Sequence, residues 1–277
     1  MKTAFNILPD RTQNVPLHLL VEAGNYGISF IWFTKAPCTI KGLAVYNYTA
    51  KGLPEDMAAA IDNILRSNAI FNNAYASVTV CYDFKESLLV PEPYYNASSQ
   101  DALLELVYAA DSNSSMIAET VKDLPVYNVF AVHKKIEAVL SVQFPEATFY
   151  HATSLQLNKQ AGANKFIYAI FFHNSIKVLM FDGNSLQLVQ QFSYNAPVDA
   201  AYHLLNCCNQ YNFNPAEISL VLSGMIDEKS KLYNELYKYF LHIGFDKPSA
   251  DVELHDRIKF YPSHFFSHLT GLALCVS

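Results

Sequence analysis

The sequence predicts an α/β protein with two lobes, and three observations support this prediction. The chain has 277 residues, a length at which one hydrophobic core tends to divide into two. Hydrophobic residues make up 51% of the chain and charged residues 16%, so there is ample apolar surface to bury. The third observation is an order of predicted elements, three strands, a helix, a strand and a helix, that occurs twice.

The first half begins with three runs rich in Val, Ile, Phe and Tyr, which are typical of antiparallel strands in a meander. A helix is predicted after them because Pro54 is suited to a first helical position and Glu55 and Asp56 favour a first turn. The predicted elements are strands at 17–21, 28–33 and 39–48, a helix from Leu53, a strand at 76–82, a loop at 87–99, a helix at 101–109, a strand at 126–132, a helix at 134–142 and a strand at 147–150.

The second half repeats the pattern, with a hairpin turn predicted at Asp182-Gly183-Asn184. Its predicted elements are strands at 166–172, 176–181 and 186–192, a helix at 197–208, a strand at 218–222 and a long amphipathic helix at 228–241. The repeat concerns the order of elements, not residue identity. It predicts a first lobe at 1–162 and a second lobe at 163–277.

Composition and charge restrict the partners and the compartment. The net charge of −6 and the lack of a basic stripe argue against a nucleic-acid partner. The first residues do not form a secretion signal, and polar residues interrupt the most hydrophobic stretches, at 17–33 and 166–181, so a cytoplasmic protein without a membrane span is expected. Five scattered cysteines suit reduced thiols: Cys38, Cys81, Cys207, Cys208 and Cys275.

One predicted hairpin carries a candidate binding motif. Glu22 directly follows the predicted strand at 17–21, and Gly24 and Asn25 come after it in the turn. A carboxylate beside a close-packing glycine is suited to holding a metal ion and phosphate. The structural alternative is a glycine-containing turn with an acid at the surface.

The element order and this turn resemble the actin-like ATPase superfamily, whose members bind ATP between two lobes. In that family, hairpins between the first two strands of each lobe hold phosphates and metal, and a Gly-Gly turn in the second lobe receives adenosine. The chain also resembles a small uncharacterised bacterial family of unknown function with this fold. The resemblance implies an α/β fold of the actin-like, ribonuclease H-like kind, with two similar lobes that each have a mixed sheet and flanking helices.

The family's motif is only partly present here. In the first hairpin Glu22 replaces the usual Asp. In the second hairpin, Phe171 replaces the acid and His173 the glycine. The adenosine turn keeps Ser223 and Gly224 but has Met in place of the second glycine. The remnant nucleotide-binding residues are therefore Glu22, Gly24, Asn25, Ser223 and Gly224.

These losses favour a non-catalytic scaffold, a pseudo-ATPase that binds another protein and needs no cofactor. Phosphoryl transfer depends on positioning and charge neutralisation, which Phe171 cannot supply. The alternative is a nucleotide-binding ATPase or kinase that uses ATP and Mg through Glu22 and Gly224. His264 and His268 lie four residues apart, but no third ligand is evident, so polar positions on a helix are expected there instead of a metal site.

Overall fold

The computed structural model describes residues 1–10, 15–49, 52–109, 112–157 and 164–277. The strands in this part of the chain are β1 (Lys2–Ile7), β2 (His18–Gly24), β3 (Gly27–Thr34), β4 (Cys38–Asn47), β5 (Ser77–Asp83), β6 (Ser87–Pro91), β7 (Ser114–Thr120), β8 (Val126–His133), β9 (Thr148–His151), β10 (Phe166–Phe171), β11 (Ser175–Asp182), β12 (Ser185–Ser193), β13 (Ser219–Gly224), β14 (His242–Phe245) and β15 (Val252–Leu254). The α-helices are α1 (Pro54–Ser67), α2 (Gln100–Tyr108), α3 (Lys134–Gln143), α4 (Ala152–Gln156), α5 (Pro197–Gln210), α6 (Lys231–Leu236), α7 (Asp256–Lys259) and α8 (Ser267–Cys275).

The chain divides into two compact units, and each contains one of the predicted meanders. The first unit comprises Met1–Asn158, Asp251–Ile258 and Leu272–Ser277, and the second comprises Lys159–Ala250 and Lys259–Gly271. The predicted boundary between residues 162 and 163 lies outside the described residues. No helix in the described ranges is long and apolar enough to cross a membrane.

The main sheet of the first unit has the strand order β1-β4-β3-β2-β5-β9, with β15 alongside β4. Strands β2, β3 and β4 form the predicted antiparallel meander, while β5 and β9 continue the sheet in parallel. The pairing of β15 with β4 brings residues 252–254 back to the first unit. The order of sequence elements gave no indication of this return, nor of β1.

A second, three-stranded sheet of order β6-β8-β7 was not predicted. The predicted loop at 87–99 is wrong over β6, whose five residues end at Pro91, and β7 was missed. Strand β8 explains why the sheet forms, because both of its faces are buried. Phe130 joins the main core of the first unit, whereas Val129 packs with Leu104 of α2 in a smaller core. β6 has only five residues, and a strand of that length carries too little periodicity to be distinguished from a loop.

The second unit has one sheet, of order β12-β11-β10-β13-β14, in which β10, β11 and β12 are the predicted meander. Its last long helix is shorter than predicted. Instead of 228–241, α6 covers only Lys231–Leu236, because the Ser230 hydroxyl accepts a hydrogen bond from the Tyr233 backbone and fixes the start. After Leu236 the chain tightens into a turn in which the Tyr239 N–H donates to the Leu236 carbonyl.

The helix after each meander begins with the same local arrangement. Pro54 opens α1 and Pro197 opens α5, and each has an aspartate two residues further on. Asp56 accepts from the backbone N–H of Leu53 at 3.2 Å, and Asp199 accepts from that of Ala196 at 2.9 Å. Both acids satisfy N–H groups that a helix start leaves without partners. The repeat therefore extends from element order to helix capping.

Candidate functional site

The first hairpin places Glu22 inside the protein. β2 and β3 are joined by the two-residue turn Asn25-Tyr26, with Gly24 opposite Gly27. Glu22 has 0% of its surface exposed, so the alternative of a surface acid is wrong, whereas Asn25 is partly exposed. A buried carboxylate at the end of a strand costs free energy unless polar groups surround it.

A second carboxylate, which the sequence analysis missed, lies beside this hairpin. β2 and β5 are parallel, and Gly24 is opposite Asp83 in their register. Asp83 is 1% exposed. Because parallel strands end at the same edge of a sheet, the acid that ends β5 comes next to the turn that ends β2. The available signal was an aspartate at the end of an apolar strand that follows the first helix.

The Tyr26 side chain closes the hairpin over these acids. Its hydroxyl donates to Asp83 Oδ2 at 3.3 Å, and the Glu22 carboxylate is close enough for its charge to act on the same hydroxyl. Burial, followed by the charges of Glu22 and Asp83, raises the pKa of Tyr26 well above its ordinary value, so the hydroxyl keeps the proton that it donates. A β-carbon at Gly24 would lie 2.7 Å from the Tyr26 ring. Gly24 therefore makes room for the tyrosine ring.

The second hairpin contains no acid at the corresponding position. Phe171 is fully buried among the apolar side chains of the second unit, and its ring meets that of Tyr194 edge-on. His173 is exposed in the turn. Residues 172–174 have no positive φ angle, so the turn does not need the freedom of glycine, and histidine fits without strain.

The turn after β13 is fixed by contacts within the second unit. Gly224 has a φ of +82°, and a β-carbon there would lie 2.2 Å from the Phe171 carbonyl oxygen. Only glycine is compatible with both constraints. Ser223 is fully buried, and its hydroxyl lies 2.8 Å from Ser267 Oγ and 3.2 Å from His268 Nδ1. Both candidate residues of this turn thus have a structural role.

The histidines near the C-terminus lie in helical segments, as expected, and belong to the same buried polar cluster as Ser223. His264 is 9% exposed and its Nε2 lies 2.7 Å from the Ile226 carbonyl oxygen. His268 is 6% exposed and meets the Phe172 ring edge-on. Within the described ranges, no group of three or more His, Cys, Asp or Glu side chains is arranged to hold a metal ion.

Solved structures with the same fold cover nearly the whole chain. A Bacteroides thetaiotaomicron protein with an actin-like ATPase fold and unknown function is 20% identical, with a TM-score of 0.74, over 96% of this chain and 98% of that one. The PilM–PilN type IV pilus biogenesis complex contributes a chain that is 12% identical, with a TM-score of 0.63, over 94% and 98%. The cytoplasmic domain of EpsL, from the type II secretion system of Vibrio cholerae, is 11% identical, with a TM-score of 0.50, over 94% and 96%.

These similarities show that the chain has the actin-like ATPase fold, as predicted. The search of curated proteins found no significant match. A family model described as a protein of unknown function, DUF3822, matches residues 10–243, which is most of the chain. The chain therefore belongs to the DUF3822 family.

Proposed function

We propose that this protein is a non-catalytic scaffold of the actin-like fold that binds another protein in the cytoplasm of a bacterial cell. The observation that carries the proposal is the position of Tyr26. Its ring lies against Gly24, and its hydroxyl donates to Asp83 near the charge of Glu22. The space that a phosphate group would need against Gly24 is filled by a side chain of the same hairpin.

The other remnant positions support the same proposal. Phe171 offers no oxygen ligand, and Gly224 and Ser223 are engaged in contacts inside the second unit. Phosphoryl transfer needs metal-holding oxygens and accessible backbone donors to act together. Two of the similar structures, PilM with PilN and EpsL in a secretion system, belong to protein assemblies, which favours a partner protein here as well.

A nucleotide-binding ATPase or kinase is the second candidate, and one observation favours it. The fold brings two buried carboxylates, Glu22 and Asp83, to the ends of adjacent parallel strands. Carboxylate oxygens are the ligands that Mg²⁺ prefers in proteins. This candidate requires Tyr26 to leave its place before a metal ion can reach either acid.

Thermal unfolding with and without Mg-ATP, together with a phosphate-release assay, tests the proposal. A ligand at a hundredfold excess over its Kd stabilises the folded state by about 2.7 kcal/mol, so millimolar Mg-ATP would raise the Tm visibly for a Kd of ~10 µM. We expect no rise and no hydrolysis. Hydrolysis that is lost in Glu22→Gln and kept in Glu55→Gln, an exposed acid, would establish the enzyme instead.

The binding half of the proposal needs its own experiment. The full chain, expressed in cells with a photo-crosslinker at exposed positions, is expected to capture one protein at near-equal stoichiometry. The capture should persist in Tyr26→Phe, because the scaffold does not depend on the nucleotide site. The absence of any stoichiometric partner at every exposed position would contradict the scaffold.

A further inference from the structure

Strand β7 forms one edge of the three-stranded sheet, and the pairing defines which of its backbone groups face outward. The Ala131 N–H of β8 donates to Glu86 on the β6 side, so Phe130, one residue away, directs its backbone groups to β7. Phe130 lies opposite Ile117 in the register. Ile117 therefore bonds to β8, and its neighbours Met116 and Ala118 direct their N–H and C=O groups away from the sheet.

The opposite edge of the same sheet is closed. The outward carbonyl of Ser87 in β6 accepts a hydrogen bond of 3.0 Å from the Tyr108 hydroxyl, and the Ser87 N–H donates to the Lys85 carbonyl. Pro91, at the end of β6, has no N–H to offer. Proline and capping contacts of this kind prevent another strand from adding to a sheet.

The edge at β7 has none of these protections. No described residue forms a hydrogen bond with the outward backbone groups of Ser114, Met116, Ala118 or Thr120. The strand contains neither proline nor lysine, and its single charge, Glu119, is turned inward, where it accepts from the His151 backbone. Its first six residues are partly exposed and Thr120 is exposed. An accessible edge of seven residues without protection is suited to pairing with another strand.

Helix α2 adds apolar surface beside this edge. The Tyr108 hydroxyl bonds to Ser87 of β6, so the flank of α2 that carries Tyr108 faces the β6 side of the sheet. Leu103 and Val107 are four residues apart on the opposite flank, and Leu103 packs in the smaller core together with Met116 and Ala118 of β7. Val107 is 53% exposed and Leu106 beside it is 83% exposed. Asp101 and Glu105 lie on the Tyr108 flank, so no acid of α2 interrupts the apolar one.

We infer that a second copy of this chain pairs with β7, strand to strand and antiparallel, so that the two sheets become one and the two α2 helices pack across the twofold axis. The spacing favours a second copy over an isolated peptide. α2 contacts both β7 and β8, and strands lie ~4.8 Å apart, so the two helix axes would be about 10 Å apart. The axes of packed helices lie ~8–10 Å apart, so this spacing would bring the two α2 helices into contact.

The two copies of β7 pair along their whole length when the twofold axis passes between the two Ile117 residues. Ser114 of one copy then lies opposite Thr120 of the other, and Met116 opposite Ala118, so that every outward backbone group gains a partner. The acids of α2 stay on the far flanks, and like charges do not meet at the axis. Strand pairing alone buries less area than the ~1,600 Å² of a standard interface, and the exposed side chains of Val107 and Leu106 add apolar area to it.

Sedimentation equilibrium of the full chain tests this inference. We expect a mass that rises with concentration towards twice that of one chain. Ala118→Pro removes an outward N–H and leaves the bonds to β8, so it should return the chain to a monomer. Val107→Glu, at an exposed position, brings two negative charges together at the axis and should weaken association at least tenfold.

Matched variants separate these effects from damage to the fold. Ala118→Ser keeps the N–H, and Ala102→Glu adds the same charge elsewhere on α2, so both should associate like the unaltered chain. Circular dichroism checks that Ala118→Pro and Val107→Glu remain folded. A monomer at all concentrations, or a dimer that neither Ala118→Pro nor Val107→Glu weakens, would overturn the inference. The result does not bear on the scaffold proposal, which concerns a different protein as partner.

Discussion

The hairpins β2–β3 and β10–β11 occupy the same place in the two meanders but differ in the residue that precedes the turn and in what surrounds it. The first keeps a carboxylate, Glu22, and a close-packing glycine, and covers both with Tyr26. The second has Phe171, whose side chain is part of the hydrophobic core of the second unit. The comparison teaches that a polar site can be filled by a neighbouring side chain or converted to apolar packing, and the energetic consequences of mutation differ accordingly.

Placing an acid in the second hairpin should have the largest effect of the changes considered for the two hairpins. Phe171→Asp places a carboxylate among apolar side chains of the second unit, where a charge without a partner is very costly. We expect this variant not to fold, as measured by loss of a cooperative urea transition. Phe171→Leu, which keeps the position apolar, should cost only ~1–2 kcal/mol. A soluble, stable Phe171→Asp protein would show that this position is not core.

Gly224→Val should produce the next largest effect. The valine would require a φ of +82° and bring its β-carbon to 2.2 Å from the Phe171 carbonyl oxygen, which should cost more than about 3 kcal/mol of unfolding free energy. Gly244→Val in β14 is the control, because nothing lies within 4 Å of a β-carbon there. Equal urea midpoints for the two variants would contradict the structural role of Gly224.

Tyr26→Phe tests how the first hairpin is held closed. Removing the hydroxyl takes a donor away from the buried Asp83 carboxylate, so stability should fall by ~1–3 kcal/mol. Tyr48→Phe is the matched control, because the Tyr48 hydroxyl is buried without a hydrogen-bond partner among the described residues. That change should be neutral or slightly stabilising. Thermal unfolding of both variants measures the difference, and an unchanged Tm in Tyr26→Phe would argue against the closed hairpin.

The smallest expected effect concerns the thiols of the two units. Burial raises the pKa of Cys207 to about 11 and of Cys208 to about 12, whereas Cys275 is exposed. Alkylation at neutral pH should therefore label Cys275 first. In the unfolded state, thiols ionise near pH 8.5, so folded-state stability should decrease as the pH rises from there towards 11 or 12. A urea midpoint that is the same at pH 7.5 and 10 would contradict this.

The sequence predicted the two meanders well because the information is local. Runs of β-branched and aromatic residues separated by Gly or Pro specify β2, β3 and β4 and, again, β10, β11 and β12. The same reasoning failed for β6, which is short and ends in proline. It also failed for the extent of α6, because the cap at Ser230 makes the helix start later than predicted. Periodicity alone does not define where an element starts.

At the candidate site, the sequence by itself determined which residues lie at the two hairpins, among them Glu22 at the first and Phe171 at the second. Only the tertiary structure decided what surrounds them. Asp83 reaches Tyr26 from 57 positions away because β5 runs parallel to β2, and β15 returns to β4 from the far end of the chain. Such pairings depend on register between distant strands, which is set by the burial of whole faces and by no local pattern of residues.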